Sequence, residues 1–374
     1  MTVACAVQCD VAIVGATGYT GELCARRLAA TGVRLRLVGR SADKLHALAV
    51  QLAGATVAVS RLDDPAQLKA ALTGARVVLS CAGPFAEIGL PVAEASVAVG
   101  AHYCDISGEL RFAVQLESVD DAARAAGVAV VPCCGFDAVV GETAAVRAAA
   151  ALASTVVSAR LTVATTTQPS RGSLQTIWEG LCRRDYEFGF RAGALVALPI
   201  AASRWQATLP APFGRSSVAG FGLVELWSVG RALRCQEVQT GLAVPVPAAL
   251  SIAARLAAWL GRGGGVRGVI REVVRKLIGR LPAGGNGNRR ARSVTVLHAE
   301  LTAADGGTAV VTATCGDISE LTATCVTACV LAALATHVTA GVQTPTLAFG
   351  ADYLADQLGQ AGVSFVARLG AAPH

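Results

Sequence analysis

Hydrophobic positions run without a break through "VAIVG" (Val11–Gly15) and give way to helical spacing over Gly21–Thr31, with glycines at 15, 18 and 21 in between. A short continuous apolar run closed by glycine predicts a strand buried on both faces, and the three-to-four spacing predicts an amphipathic helix. The same exchange recurs down the first third of the chain. Strands are predicted at Arg34–Arg40, in "ATVAVSRLDD", at Arg76–Pro84 and at Val128–Asp137. Helices are predicted at Ala42–Ala53, Pro65–Leu72, Gly89–Val99 and Arg111–Ala126. Strand–helix alternation of this length predicts an α/β architecture with a parallel, doubly wound sheet.

After about residue 150 the pattern changes. "SARLTVATTT" (Ser158–Thr167) alternates as a half-exposed strand does, and "RSVTVLHAELTAADGGTAVVTATCG" places two alternating runs around Asp305–Gly307, which predicts a hairpin. A second, α+β domain on a mostly antiparallel sheet is therefore expected. Its bounds are read as 141–340, following a first domain over 1–140; a helix-and-strand tail over 341–374 is expected to return to the first domain. A length of 374 residues agrees with more than one core.

The strand–glycine–helix junction is where chemistry enters. N–H groups at a helix N-terminus, together with the helix dipole, attract anions. Glycines at 15, 18 and 21 let the backbone close on a dinucleotide diphosphate; Thr17, Tyr19 and Thr20 complete the loop. An acid at the end of the second strand would hold a ribose 2′-hydroxyl, but here the residues are Gly39, Arg40 and Ser41, with Lys44 one turn on. Arginine forks onto phosphate oxygens, so NADP(H) is expected over NAD(H). Asp63 has two readings, an acceptor for the adenine amino group or the N-cap of the helix at Pro65. Cys81, Ala82, Gly83 and Pro84, after the fourth strand, are expected beside the nicotinamide half of the cofactor.

These stretches resemble a known family. "GATGYTG", "VGRSADKL", "CAGPFAEIGLPVAEASVAVGAHYCDISGE" and "CCGFDAVVGE" are similar to motifs of the saccharopine dehydrogenase-like oxidoreductases, and within them of the bacterial trans-acting enoyl reductases. The resemblance is specific over the first 140 residues and loose beyond them. It implies a Rossmann-type NADP(H) domain bearing a second α+β domain, with Gly135, Phe136 and Asp137 also near the cofactor. It implies hydride addition to an enoyl or imine bond of a lipid, polyketide or other secondary-metabolite intermediate. Relatives read GFDSIPSD and a GDPGY-like turn where this chain has "GFDAVVGE" and "GDISEL". That departure leaves a second reading, an NADP(H)-binding protein without redox turnover: a non-redox cyclase, a scaffold or a lipid-surface binder.

A reduction also needs a proton donor. The candidates along the strand ends are Tyr103, Asp105, Glu109, Cys133, Cys134, Asp137 and Glu142, with Tyr103 and Asp105 placed first as the catalytic pair. Each has a plain alternative: a half-buried aromatic for Tyr103, a loop cap for Asp105, a helix cap for Asp137, and small buried residues for the two cysteines.

Composition adds three points. Twelve cysteines without metal-binding spacing, and an opening that lacks a basic leader, predict a reducing, cytoplasmic setting with no metal. Arginine-dominated basic residues suggest a GC-rich bacterial genome by association. The net charge of +6 is concentrated between Arg255 and Arg292, where Glu272 is the one acid. With Trp259 as its single aromatic this stretch does not read as a nucleic-acid site. It reads as a solvated helix face, as a dock for an acidic carrier protein presenting an acyl substrate, or as a peripheral membrane contact. A homodimer is compatible with all three.

Overall fold

A computed structural model describes residues 9–52, 54–167, 169, 171–262, 264–281 and 292–370. The chain forms two compact units, one of Met1–Val139 with Ser319–Ala361, the other of Val140–Ile318 with Gly362–His374.

The first unit is built on a seven-stranded parallel sheet. Its strands are β1 (Cys9–Val14), β2 (Leu35–Gly39), β3 (Thr56–Val59), β4 (Ala75–Ser80), β5 (His102–Asp105), β6 (Ala129–Val131) and β15 (Gly341–Val342). The spatial order is β15-β6-β5-β4-β1-β2-β3. Val11, Ala12, Ile13, Val14, Val77, Val78 and Leu79 are fully buried, as expected of strands covered on both faces. The helices between them are α1 (Tyr19–Ala30), α2 (Ala42–Gln51), α3 (Pro65–Leu72), α4 (Phe85–Ala98), α5 (Leu110–Gln115), α6 (Asp120–Ala126) and α7 (Phe136–Ala149). The chain leaves β1 toward β2 and β3 on one side, and β4 toward β5 and β6 on the other. The order therefore reverses between β1 and β4, and a crevice at the carboxyl ends of these strands is where such sheets take ligands.

The second unit carries a nine-stranded mixed sheet. Its main path runs β10 (Arg204–Leu209), β11 (Gly214–Gly220), β12 (Glu237–Ala243), β7 (Val156–Thr165), β13 (Thr295–Ala303), β14 (Thr308–Cys315), β16 (Ser364–Gly370). Only β12 and β7 on that path are parallel. β8 (Phe188–Arg191) and β9 (Ala194–Ala197) form a side hairpin. Helices α8 (Arg171–Arg183), α9 (Glu225–Leu233), α10 (Pro247–Gly261) and α11 (Val266–Gly279) complete the unit. Tyr186 and Phe221 stack with ring centroids 4.5 Å apart in a cluster that also holds Ile200 and Ala254.

The structure departs from the sequence reading in four places. Arg111–Ala126 is not one helix; a 3-10 turn at Leu116–Val119 separates α5 from α6. The strand expected over Val128–Asp137 stops at Val131, and Phe136 and Asp137 already belong to α7. The helix Ile318–Ala335, expected in the second domain, lies with the first unit from Ser319 onward, with Leu321, Val326, Cys329 and Val330 buried. The tail divides: β15 pairs with β6 in the first sheet, but β16 pairs with β14 in the second. Its alternate residues satisfy an edge that would otherwise expose a row of backbone groups. Ile318–Ala335 is long and apolar enough to cross a membrane, yet half of it is buried inside the fold. Part of the basic segment, including Arg289 and Arg290, lies outside the described residues.

Candidate active site

The loop after β1 is shaped by two backbone demands. Gly15 has φ +79°, a left-handed conformation that glycine adopts at little cost. A Cβ on Gly21 would lie 2.3 Å from the carbonyl oxygen of Gly15, so α1 meets the loop with nothing between them. Gly18 is the N-cap of α1 and brings no side chain. Thr17, Tyr19 and Thr20 are partly exposed around it. Opposite, the backbone at Cys81 and Ala82 approaches within 3.0 Å of where a Gly15 Cβ would sit, and the Cys81 N–H donates to Val14 O at 2.8 Å. The loops after β1 and β4 thus face each other at the reversal of strand order, as a dinucleotide cradle requires. The Gly83–Pro84 bond beside them is cis.

At the end of β2, Gly39 leads into exposed Arg40, and Ser41 becomes the N-cap of α2. Arg40 and Lys44 are both exposed and make no ion pair among the described residues. They are free to receive a phosphate, and the uncluttered cradle fits the diphosphate of NADP(H). Asp63 resolves differently. The N-cap of α3 is Asp64, whose Oδ1 accepts from the N–H groups of Ala66 at 3.1 Å and Gln67 at 3.0 Å. Asp63 is exposed and paired with Arg61 at 2.6 Å; that hydrogen bond, aided by the charge of Arg40, holds its carboxyl below the ordinary value.

The proton-donor candidates separate by burial. Tyr103, Asp105, Cys133, Cys134 and Glu142 are fully buried, and Glu109 nearly so. Tyr103 and Asp105 share one face of β5 with Ser80 at the end of β4, paired to Asp105 in register. Asp105 Oδ1 accepts from the N–H groups of Ser107 and Cys133, each at 2.8 Å. Cys133 has φ +60°, so the carboxyl of Asp105 clamps a strained turn that leads to Gly135 and α7. Burial outweighs the two N–H groups and pushes the Asp105 carboxyl up to about 6. Burial also raises the Tyr103 phenol well above its ordinary value. Tyr103 Oη, Asp105 Oδ2 and Ser80 Oγ influence one another, yet none of the three makes a hydrogen bond of normal geometry. Both members of the expected catalytic pair are therefore internal, and Asp105 fixes the loop through Ser107 and Cys133.

Glu109 also has structural work. Its two carboxylate oxygens accept from the N–H groups of Phe85 at 2.9 Å and Ala86 at 2.8 Å, which caps α4 from a distant part of the chain. Asp137 differs from all of these. It does not cap α7 but stands in its first turn, with part of the residue exposed and its carboxyl packed against Gly108. Its Oδ2 is so near Gly108 that a Cβ there would lie 2.6 Å away. This crowding by protein displaces water and pushes the carboxyl up to about 6. Gly135 and Phe136 beside it are buried, with the Phe136 N–H donating to Thr322 Oγ1 at 3.3 Å. Among the described residues no cluster of three metal-ligating side chains occurs.

A parallel sheet with a glycine cradle at its reversal point and exposed cations after β2 is the arrangement of a dinucleotide-binding domain. Comparison with known proteins shows what this domain is similar to. Residues 11–131, about a third of the chain, match the family described as "Saccharopine dehydrogenase NADP binding domain". The trans-acting enoyl reductase of Mycobacterium tuberculosis (strain ATCC 25618 / H37Rv) is 33% identical over 137 residues, 35% of this chain and 33% of that protein. Its namesake from Mycobacterium leprae (strain TN) is 34% identical over 139 residues, with the same shares. The match spans about a third of the length of these curated relatives. Apo saccharopine dehydrogenase (L-Glu forming) from Saccharomyces cerevisiae superposes over 97% of this chain and 100% of that one, with a TM-score of 0.67 at 14% identity, which shows a common fold.

Proposed function

We propose that this protein is an NADPH-dependent reductase acting on a polarised double bond, an enoyl C=C or an imine C=N. The observation that carries the reading is the open glycine cradle with Arg40 and Lys44 unpaired after β2, inside a domain of an NADP-binding family. The enoyl form is favoured by the names of the mycobacterial relatives, and it brings with it an acyl substrate on a lipid or polyketide intermediate, presented by a carrier protein in the cytoplasm. NADPH bound there supplies hydride from its nicotinamide ring.

The residues of this chain do the rest. The α1 N-terminus receives the diphosphate, Arg40 forks onto the 2′-phosphate, and Lys44 adds charge. As one end of the double bond gains hydride, the other gains negative charge and needs a proton. Asp137 is the exposed acid of the candidate set, and a carboxyl near 6 is matched to giving a proton near neutrality. It is then reprotonated from water.

Titration of NADPH and NADH against wild type and Arg40→Ala tests the cofactor assignment. One lost charge-assisted fork costs about 10- to 100-fold in NADPH affinity, with NADH changed less than about threefold. Equal losses for the two cofactors remove the phosphate role. Deuterated NADPH with enoyl-thioester and imine substrates then reports the bond reduced. The burial of both Tyr103 and Asp105 favours one competing reading, cofactor binding without redox turnover. Product formed with no NADPH consumed supports it.

A further inference from the structure

The densest apolar surface lies far from the cradle in sequence. Of the seventeen strongly exposed large apolar side chains among the described residues, ten fall between Val246 and Leu281, on or beside α10 and α11. Monomeric proteins seldom leave such a cluster without a partner.

The two helices share one design. The inner face of α10 is anchored, with Ser251, Ala254, Ala257 and Leu260 buried. Its outer face carries Ile252, Leu256 and Trp259, spaced four and three residues apart and 66%, 56% and 51% exposed. Helix α11 buries no residue. Its outer line is Val266, Ile270, Val273 and Leu277, at intervals of four, three and four. The guanidinium of Arg267 lies 4.9 Å from the Trp259 ring centroid, which ties the start of α11 to the end of α10, and the two helices pack against each other and against α8. Cations frame them: Arg255, Arg262, Arg267, Lys276 and Arg280 are all exposed. Glu272 is the one acid in this stretch and is paired with Arg275 at 2.6 Å.

We infer that the α10–α11 hairpin lies flat on an anionic membrane surface, its apolar lines at the acyl boundary and its arginines among the lipid phosphates. A stripe of large apolar side chains ending in tryptophan and bordered by arginine is the pattern of an interfacial helix. Helices of 15 and 14 residues are about 22 and 21 Å long, too short for the roughly 30 Å hydrocarbon core, so the hairpin rests on the bilayer and does not cross it. A second copy of the chain is a poorer occupant, because a two-fold interface would set this cationic frame against itself. An acidic carrier protein satisfies the cations but offers less for the apolar lines. The inference stands on the second unit alone and is independent of the cofactor assignment.

Flotation of the full chain with phosphatidylcholine vesicles, with and without phosphatidylglycerol, tests it. The expected result is capture by the anionic vesicles only, weakened by salt, with the emission of Trp259 shifted to the blue; Trp259→Phe removes that shift. At about a factor of five per exposed cation, the triple change Arg262→Gln, Arg267→Gln, Lys276→Gln weakens capture roughly a hundredfold. Leu256→Ser with Leu277→Ser abolishes the shift while NADPH binding stays intact. Equal or absent capture by the two vesicle types overturns the inference. So does a monomer–dimer equilibrium that Leu256→Ser breaks, or binding of an acidic acyl carrier protein without capture by vesicles.

Discussion

Asp105→Asn probes the buried cluster most directly. In the native protein the carboxyl is held at about 6 against an ordinary 3.8, with burial as the first cause. Because the native state binds the proton more tightly than the unfolded chain, the group contributes most below about pH 4, and that contribution is lost as pH rises to about 6. The charged form at neutral pH therefore costs about 3 kcal/mol. Asparagine keeps an oxygen for the N–H groups of Ser107 and Cys133 and cannot ionise. The variant should match wild type near pH 4 and exceed it by up to about 3 kcal/mol at pH 7.5. All four tryptophans lie in the second unit, so their emission does not follow this event. Hydrogen exchange in peptides spanning β5 and β6, corrected for intrinsic rate at each pH, does. Slower exchange in the variant above about pH 6, with NADPH affinity retained, is the expected pattern. Parallel pH curves for the two proteins would refute the linkage. Turnover abolished while the loop stays protected would return Asp105 to the chemistry.

Three other perturbations follow from the same geometry. Gly21→Ala sets a methyl group 2.3 Å from Gly15 O, so α1 must retreat. A stability loss of about 1–3 kcal/mol by urea titration and at least a tenfold loss of NADPH affinity are expected, and unchanged binding would remove the cradle. Asp137→Asn should lower turnover and abolish the fall in rate that wild type shows as pH rises through about 6, since the acid acts only when protonated. A profile that keeps this limb in the variant assigns the proton elsewhere. Glu109→Ala leaves the first N–H groups of α4 without their carboxylate and should cost about 1–2 kcal/mol, read as faster exchange at Phe85 and Ala86.

Local patterns carried the first unit, because its central strands are buried on both faces and each strand leads into a helix. Val11–Gly15 and Pro65–Leu72 needed nothing from afar. A cap ahead of Pro65 was legible, but it was read at Asp63; the cap is its neighbour Asp64, and Asp63 pairs with Arg61 instead. The burial of Tyr103 and Asp105 was not legible, since it depends on a turn from residue 133 folding over the end of β5. Glu109 likewise looked like chemistry until α4, more than twenty residues earlier, arrived to be capped. The helix Ile318–Ala335 is apolar on nearly all sides and announces burial without saying in which core.

The division of the chain has a consequence for biosynthesis. The first unit draws its residues from both sides of the second, so its sheet lacks β15 and its core lacks Ser319–Ala361 until those segments leave the ribosome. Some 220 residues separate Val139 from Ala361, which at ordinary elongation rates is roughly 10–45 s. Throughout that interval a nascent nucleotide-binding half waits with an open flank, and a chaperone or early cofactor capture at the glycine loop would shelter it until translation closes the fold.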